Sequence, residues 1–254
     1  MSWNGFIKSM SRAGTTIMQK TGAIEKTIDR EFDDASSRFS NLESRTNKLG
    51  KEAKSFLDSL RMITASQQRI GEQISVIIDE QSAIYTKCTK FRQVMNSIDE
   101  ELRVEMDQIY RFTVLDPITI YLEYFPQIND LIKKRNHKLL DYDAARSKVR
   151  KLVDKPADDA SKLPKAEAQT LETKEIYEKI NGMLVTELPK FVALRVPYLE
   201  PCFKALIASQ AKFSKDSSEK LNSLGSNFQP KDASILRSNA EDILQKMRIL
   251  SICA

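Results

Sequence analysis

One histidine, three cysteines and seven glycines in 254 residues exclude most catalytic chemistries before any pattern is sought. With His137 the only imidazole, bundles built on paired Glu-x-x-His motifs and histidine-rich zinc sites are ruled out. A histidine general base would have to be His137, which stands within a row of lysines and reads as part of it. The scattered glycines make no phosphate-cradling loop. Cys88, Cys202 and Cys253 follow no metal-type spacing and read as reduced thiols of a cytosolic chain. No stretch approaches the roughly 18 apolar residues of a membrane span. Lys8, Ser9, Ser11 and Arg12 interrupt what a secretory signal would require. Alternating β-branched runs are missing, so no strand competes with helix. Neither an enzyme nor a cofactor nor a metal is expected.

What the sequence has is helical rhythm. Ile28, Ala35, Leu42, Leu49, Phe56, Ile63, Ile70 and Ile77 lie seven residues apart. Phe32, Phe39, Thr46, Ala53, Leu60, Gln67 and Ile74 follow at four-residue offsets. This three-four alternation predicts one helix packed along its length, about 75 Å from Ile28 to Ile77 at 1.5 Å per residue. The expected helices cover about 25–84, 90–154 and 165–227, with the helix 1–2 junction open within 79–95 and a short closing helix in 230–254. Pro117, Pro126, Pro189, Pro197 and Pro201 fall inside continuing patterns and predict bends rather than ends. Asp154 to Pro164 carries two prolines and no periodicity, so it is a turn, and Asn227 to Lys231 breaks the third helix. The fold class is all-α, an elongated three-helix antiparallel bundle. Three such helices cannot hide every seam within one slender chain, so a second chain should complete the core.

The charge is unevenly placed. Residues 1–24 carry Lys8, Arg12 and Lys20 with no acid, and residues 133–165 hold 11 basic against 5 acidic side chains, whereas 25–132 is net acidic. On a helical wheel, Lys133, Lys148, Lys151 and Lys155 fall in one line opposite the apolar side, and Lys134 and Lys138 lie on its flank. Lys162 and Lys165 extend the row past the turn. A solvated face kept for solubility is the bland reading; the density of cations points instead to an anionic partner. At the N-terminus, Trp3, Phe6, Ile7, Met10, Ala13 and Ile17 share one helical face, with Lys8 and Arg12 off it. Gly5, Gly14 and Thr15-Thr16 are poor helix formers, so residues 1–24 should be disordered in water and fold where an interface takes up the apolar face. The alternative is an arm packed on the body through Trp3 and Phe6. Asp33-Asp34 and Asp99-Glu100-Glu101 read as acids on solvated faces. Nucleic-acid binding lacks stacking aromatics among the lysines.

The Met-Ser-Trp start, the Lys-Lys-Arg-Asn-His-Lys-Leu-Leu-Asp-Tyr-Asp-Ala-Ala-Arg block from Lys133, the Leu-Val-Asp-Lys-Pro-Ala turn and Leu-Arg-Val-Pro-Tyr at 194–198 resemble amphiphysin-type N-BAR domains. The likeness is to the short fungal reduced-viability-upon-starvation members and the animal bridging integrators, and covers nearly the whole chain. It implies a crescent-shaped BAR dimer, residues 25–229, that senses or generates curvature on anionic, including phosphoinositide-containing, bilayers. Lys133, Lys134, Arg135 and Lys138 would be concave-face cations. Lys151, Lys155, Lys162 and Lys165 would be tip cations, with Lys148 in the same row. Trp3, Phe6, Ile7, Lys8, Met10 and Arg12 would belong to an inserting N-terminal helix. The resemblance also implies endocytosis, actin organisation with actin-patch proteins at the cell cortex and, in fungi, cell polarity and fusion. Amphiphysins proper carry a Src-homology-3 domain and this chain ends at Ala254 without one, so a homodimer and a heterodimer with a longer paralogue are both expected. The rival reading is a cytoskeletal or tethering coiled coil that never touches lipid.

Overall fold

The structure is a computed structural model. It describes the backbone of residues 3–225, 233–250 and 252, and side chains from Ile7 onward except those of Lys8 and Ala233. The side chains of Trp3, Phe6 and Lys8, Cys253 and the expected break at Asn227 to Lys231 lie outside the described residues. Helices follow in the order α1 (Trp3–Lys20), α2 (Arg30–Ile77), α3 (Tyr85–Ser97), α4 (Arg103–Tyr110), α5 (Asp116–Asp154), α6 (Lys162–Asn222) and α7 (Ala233–Arg248). Single π-helical stretches, Ile98–Leu102 and Arg111–Leu115, join α3 to α4 and α4 to α5. The second of them precedes Pro117, where the widened turn removes the need for the amide that proline lacks. Pro126 in α5 and Pro189, Pro197 and Pro201 in α6 sit within helices without ending them.

Several boundaries differ from the sequence reading for identifiable reasons. Residues 3–20 are helical rather than disordered. Gly22, at φ +74°, ends α1 in a Schellman turn whose Ala23 amide donates to the Met18 carbonyl at 2.8 Å. The next helix then starts at Arg30, not near 25, because the Asp29 carboxylate accepts the Phe32 amide at 3.0 Å and caps it. Asp99 is buried rather than solvated; it accepts a 2.6 Å hydrogen bond from the Thr64 hydroxyl and another from Arg103. Asp33, Asp34, Glu100 and Glu101 are exposed.

The described chain forms two compact units. In the first, residues 1–55 and 111–206, α2 runs antiparallel to α5 and α5 antiparallel to α6: Gly50 lies against Leu122, Asn129 donates to Glu43, and Arg135 reaches Asn181. Phe32, Phe39, Leu42, Tyr121, Phe125, Leu184 and Leu188 make its core. Phe125 meets Phe39 at 5.3 Å and Phe191 edge-on at 5.5 Å, while Tyr121 stacks on Phe191 at 5.3 Å. Such ring pairs add roughly 0.5–1.5 kcal/mol each beyond their buried area. In the second unit, residues 56–110 and 207–254, Leu57, Thr64, Met95, Ile98, Met106 and Tyr110 are buried, and the Phe56 ring lies 5.5 Å from that of Tyr110.

The eight-residue apolar row does not stay inside. Ala35 and Leu42 are buried, yet Ile28 is 73% exposed, Ile63 57%, Ile70 53% and Ile77 77%. In the second unit the inward positions of α2 have moved on by one residue, to Leu57, Thr64 and Gly71. An α-helix of 3.6 residues per turn slips by about 20° per heptad, so the row from Ala35 to Ile77 winds about 120° around α2 over six heptads, while Ile28 precedes the helix.

Gly71 marks a close approach of α2 to α3: a Cβ there would lie 3.1 Å from the Arg92 Cα. Gly71→Ala should be close to neutral, since about 1 kcal/mol of helix propensity offsets the crowding. Gly71→Val should lose about 2 kcal/mol in urea denaturation through overpacking.

Candidate functional site

Lys148 and Lys151 lie in the last turns of α5, Lys155 is its C-cap residue, and Lys162 and Lys165 open α6. All five are exposed, and among the described residues none has an acidic partner. Elsewhere on α6, six of the seven lysines are paired with acids and Lys179 alone among the described residues of that stretch is not. Lys174, Lys190, Lys204 and Lys215 each face a glutamate three or four residues away, Lys212 is held by Asp216 and Glu105, and Lys220 by Glu101. Asp159, the acid nearest the start of α6, turns back to accept the Ser161 amide at 2.9 Å, which holds its carboxyl below the ordinary range.

Lys162 and Lys165 also stand where a helix disfavours them. The first turn of α6 contains no acid. The N-terminal end of a helix carries a partial positive charge, so each cation there is opposed by about 0.3–1 kcal/mol. An anion brought to this turn would meet unpaired ammonium groups and a favourable dipole together.

The other predicted cations divide. Lys133 and Lys134 are exposed, the former paired with Asp130 at 3.1 Å; Lys138 is half-buried, 3.8 Å from Asp141. Arg135 is not a surface cation at all, being 3% exposed. Its Nε donates to Asn181 at 2.7 Å and its Nη2 to the Tyr177 hydroxyl at 2.9 Å, while Nη2 lies 3.4 Å from Asp29. Asn181 in turn donates to Asp29 at 2.6 Å, and the guanidinium sits 3.8 Å over the Phe32 ring. One arginine therefore ties α5 and α6 to the capped start of α2, and no headgroup can reach it. The sequence signal that could have found it is Asp29, an N-cap candidate ahead of an apolar run. Burial alone would raise the Asp29 carboxyl; the Phe32 amide, the Asn181 amide and the nearby Arg135 outweigh it and bring it below its ordinary value. His137 is exposed beside Arg135 in sequence.

Helix α1 lies along α5. Arg12 makes a two-pronged ion pair with Asp141, 2.8 Å on each prong, and those bonds raise the guanidinium pKa. Gln19 donates to Asp143 at 2.8 Å, and Thr15 is buried. Ile7, Met10 and Ile17 are 51%, 63% and 63% exposed. The described part of the helix is thus packed on the body through its polar side; the Trp3 and Phe6 side chains, which the sequence alternative invoked, lie outside the described residues. Among the described residues no group of three or more His, Cys, Asp or Glu side chains converges, no helix is long and apolar enough to cross a membrane, and Cys88 and Cys202 are free and buried.

Comparison with known proteins follows the same outline. The family model described as BAR domain matches residues 6–229. The chain is 46% identical to the protein hob3 of Schizosaccharomyces pombe over 257 residues, covering 99% of this chain and 97% of the relative. It is 40% identical to the regulator of cytoskeleton and endocytosis RVS161 of Candida albicans, covering 99% and 98%. Among solved structures, the amphiphysin BAR domain from Drosophila superposes with a TM-score of 0.65 at 24% identity, over 81% of this chain and 97% of that one.

Removing Arg135 should expose how far the bundle depends on it. Arg135→Met leaves the partly buried Asp29 without its charge partner and should cost about 3 kcal/mol in urea denaturation at neutral pH. Because the folded Asp29 carboxyl titrates below its unfolded value, its contribution is complete above the ordinary carboxylate range and is lost as pH falls through the folded value. Asp29→Asn should therefore flatten the acid limb of a stability-against-pH curve.

Proposed function

The chain belongs to the BAR domain family, and on that premise we propose that it scaffolds curved anionic membranes as a dimer, gripping headgroups with the lysines around the α5–α6 turn. The observation that carries this reading is the contrast on α6. Six of the seven lysines along its body, all but Lys179, are paired with acids, whereas Lys148, Lys151, Lys155, Lys162 and Lys165 are clustered and left uncompensated. A solubility face would tolerate the pairing found elsewhere. Each lysine near an anionic leaflet is worth roughly 1 kcal/mol, so the five from two chains supply on the order of 10 kcal/mol before screening. Lys133 and Lys134 add to the charge, and Arg135 does not. The protein is not an enzyme; it works through shape and surface in endocytosis and the organisation of the actin cytoskeleton. It acts as a peripheral protein at the cell cortex among actin-patch partners, and in a fungal cell also in polarity and fusion. Neutralising the uncompensated lysines tests the reading. Lys151, Lys155, Lys162 and Lys165 changed together to Glu should lower co-sedimentation with anionic vesicles at least about tenfold at ~0.15 M salt; undiminished binding would favour the tethering coiled coil.

The dimer has a candidate seam. In the second unit Met62, Ile63, Ile70 and Ile77 expose a run of apolar side chains along α2, the part of the heptad row that has wound out of the protomer core. A second copy, or a longer paralogue with the same helix, covers it. Ile63→Glu with Ile70→Glu should convert the dimer to a monomer in sedimentation velocity at micromolar concentration while the helical content of the protomer persists.

A further inference from the structure

A helix with one apolar stripe normally buries that stripe against its own protein. Helix α1 does the reverse. Taking Arg12 as the origin at 100° per residue, Thr15 and Gln19 fall within about 60° of it, whereas Ile7, Met10 and Ile17 lie about 140–160° away. The first group makes the contacts to α5, through Asp141, Asp143 and burial of Thr15. The second group is exposed. By sequence register Trp3 and Phe6 share the second stripe. Asp143 is fully buried and does double duty: it also accepts the Thr27 hydroxyl at 2.6 Å, fixing the segment that returns from α1 to α2. Asp141 stands half-buried between Arg12 and Lys138, so it is the acid whose main task in this structure is to hold α1.

We propose that Asp141 is a positioning residue for membrane insertion: it clamps α1 on α5 as a formed helix, in the absence of lipid, with the apolar stripe already turned outward. This rests on the reading that the chain binds membranes, and it changes the order of events. A short segment with two glycines and a Thr-Thr pair folds poorly in isolation, because helix nucleation is unfavourable and the residues are weak formers. Docking supplies that ordering before contact, so lipid meets a preformed wedge instead of having to fold one. The contact also explains why the polar side of the stretch contains an arginine at position 12, opposite the stripe and facing an acid across a sequence distance of 129 residues.

Trp3 is the only tryptophan in the chain, so tryptophan emission under selective excitation reports on α1 alone. The test uses the full chain and its variants Asp141→Asn, Arg12→Gln and the charge exchange Arg12→Glu with Asp141→Arg. Without vesicles, trypsin should cut after Lys20 about fivefold faster in each single variant, as expected for loss of a partly exposed ion pair, and the exchange should restore protection. With phosphatidylserine vesicles, the single variants should need about fivefold more lipid for the half-maximal blue shift of Trp3. Arg12→Gln alters only α1, so its result stands even if Asp141→Asn perturbs the bundle. Unchanged cleavage, or an exchange that fails to rescue, overturns the proposal. So does a Trp3 shift at equal or lower lipid in the single variants, which would make the contact a restraint. If the wild-type chain does not pellet with the vesicles, the membrane reading itself fails; pelleting with no variant effect removes only the role of Asp141.

Discussion

An α-helix turns 100° per residue, and a seven-residue repeat asks for slightly more than that if it is to stay on one side. Along α2 the chain keeps the seven-residue repeat and lets the helix drift. The consequence is that one row of side chains serves two environments in succession. Around Ala35 and Leu42 it lies in the three-helix core with Phe39 and Phe125, and from Ile63 onward it lies outside. The inward role passes to Leu57, Thr64 and Gly71, whose small or polar members allow α3 to come within backbone contact. The exposed apolar row on this helix arises from that slow rotation, without a separate motif.

Electrostatics is sorted by burial in the same economical way. Cations paired between elements of the protomer include arginines with several donors in use, as at Arg135 with Asn181 and Tyr177 or Arg12 with Asp141, and two lysines, Lys212 with Glu105 and Lys220 with Glu101. The cations without an acidic partner where α5 ends and α6 begins are lysines, single charges on long stems. The distinction follows from chemistry, since a planar guanidinium can satisfy several acceptors in fixed geometry and an ammonium on a mobile stem suits a surface of shifting headgroups.

This sorting also explains what could be read from the sequence. The all-α class, the long helices, the turn after Asp154 and the density of charge in 133–165 all follow from periodicity and composition, which act locally. Charge alone places Arg135 with its lysine neighbours; its burial depends on Asp29 and Asn181, which are 106 and 46 residues away. Asp99 was placed on a solvated face for the same reason, when the π-helical stretch from Ile98 to Leu102 and the Thr64 hydroxyl bring it inside. Helix α1 was expected to need an interface before folding, because its glycines and threonines are visible in sequence and its anchors on α5 are not.

The prolines of α6 have a mechanical side. Each lacks the amide that would bind the carbonyl four residues earlier, so Val185, Ala193 and Pro197 lose their usual intrahelical donors. Missing rungs lower the stiffness of a helix locally, and three of them fall between 185 and 201 in a rod that is otherwise continuous from Lys162 to Asn222. Under load from a bilayer that resists being bent, this stretch yields first. The elasticity of the scaffold is thus written at named positions, and a chain with alanine at 189, 197 and 201 would be a stiffer spring.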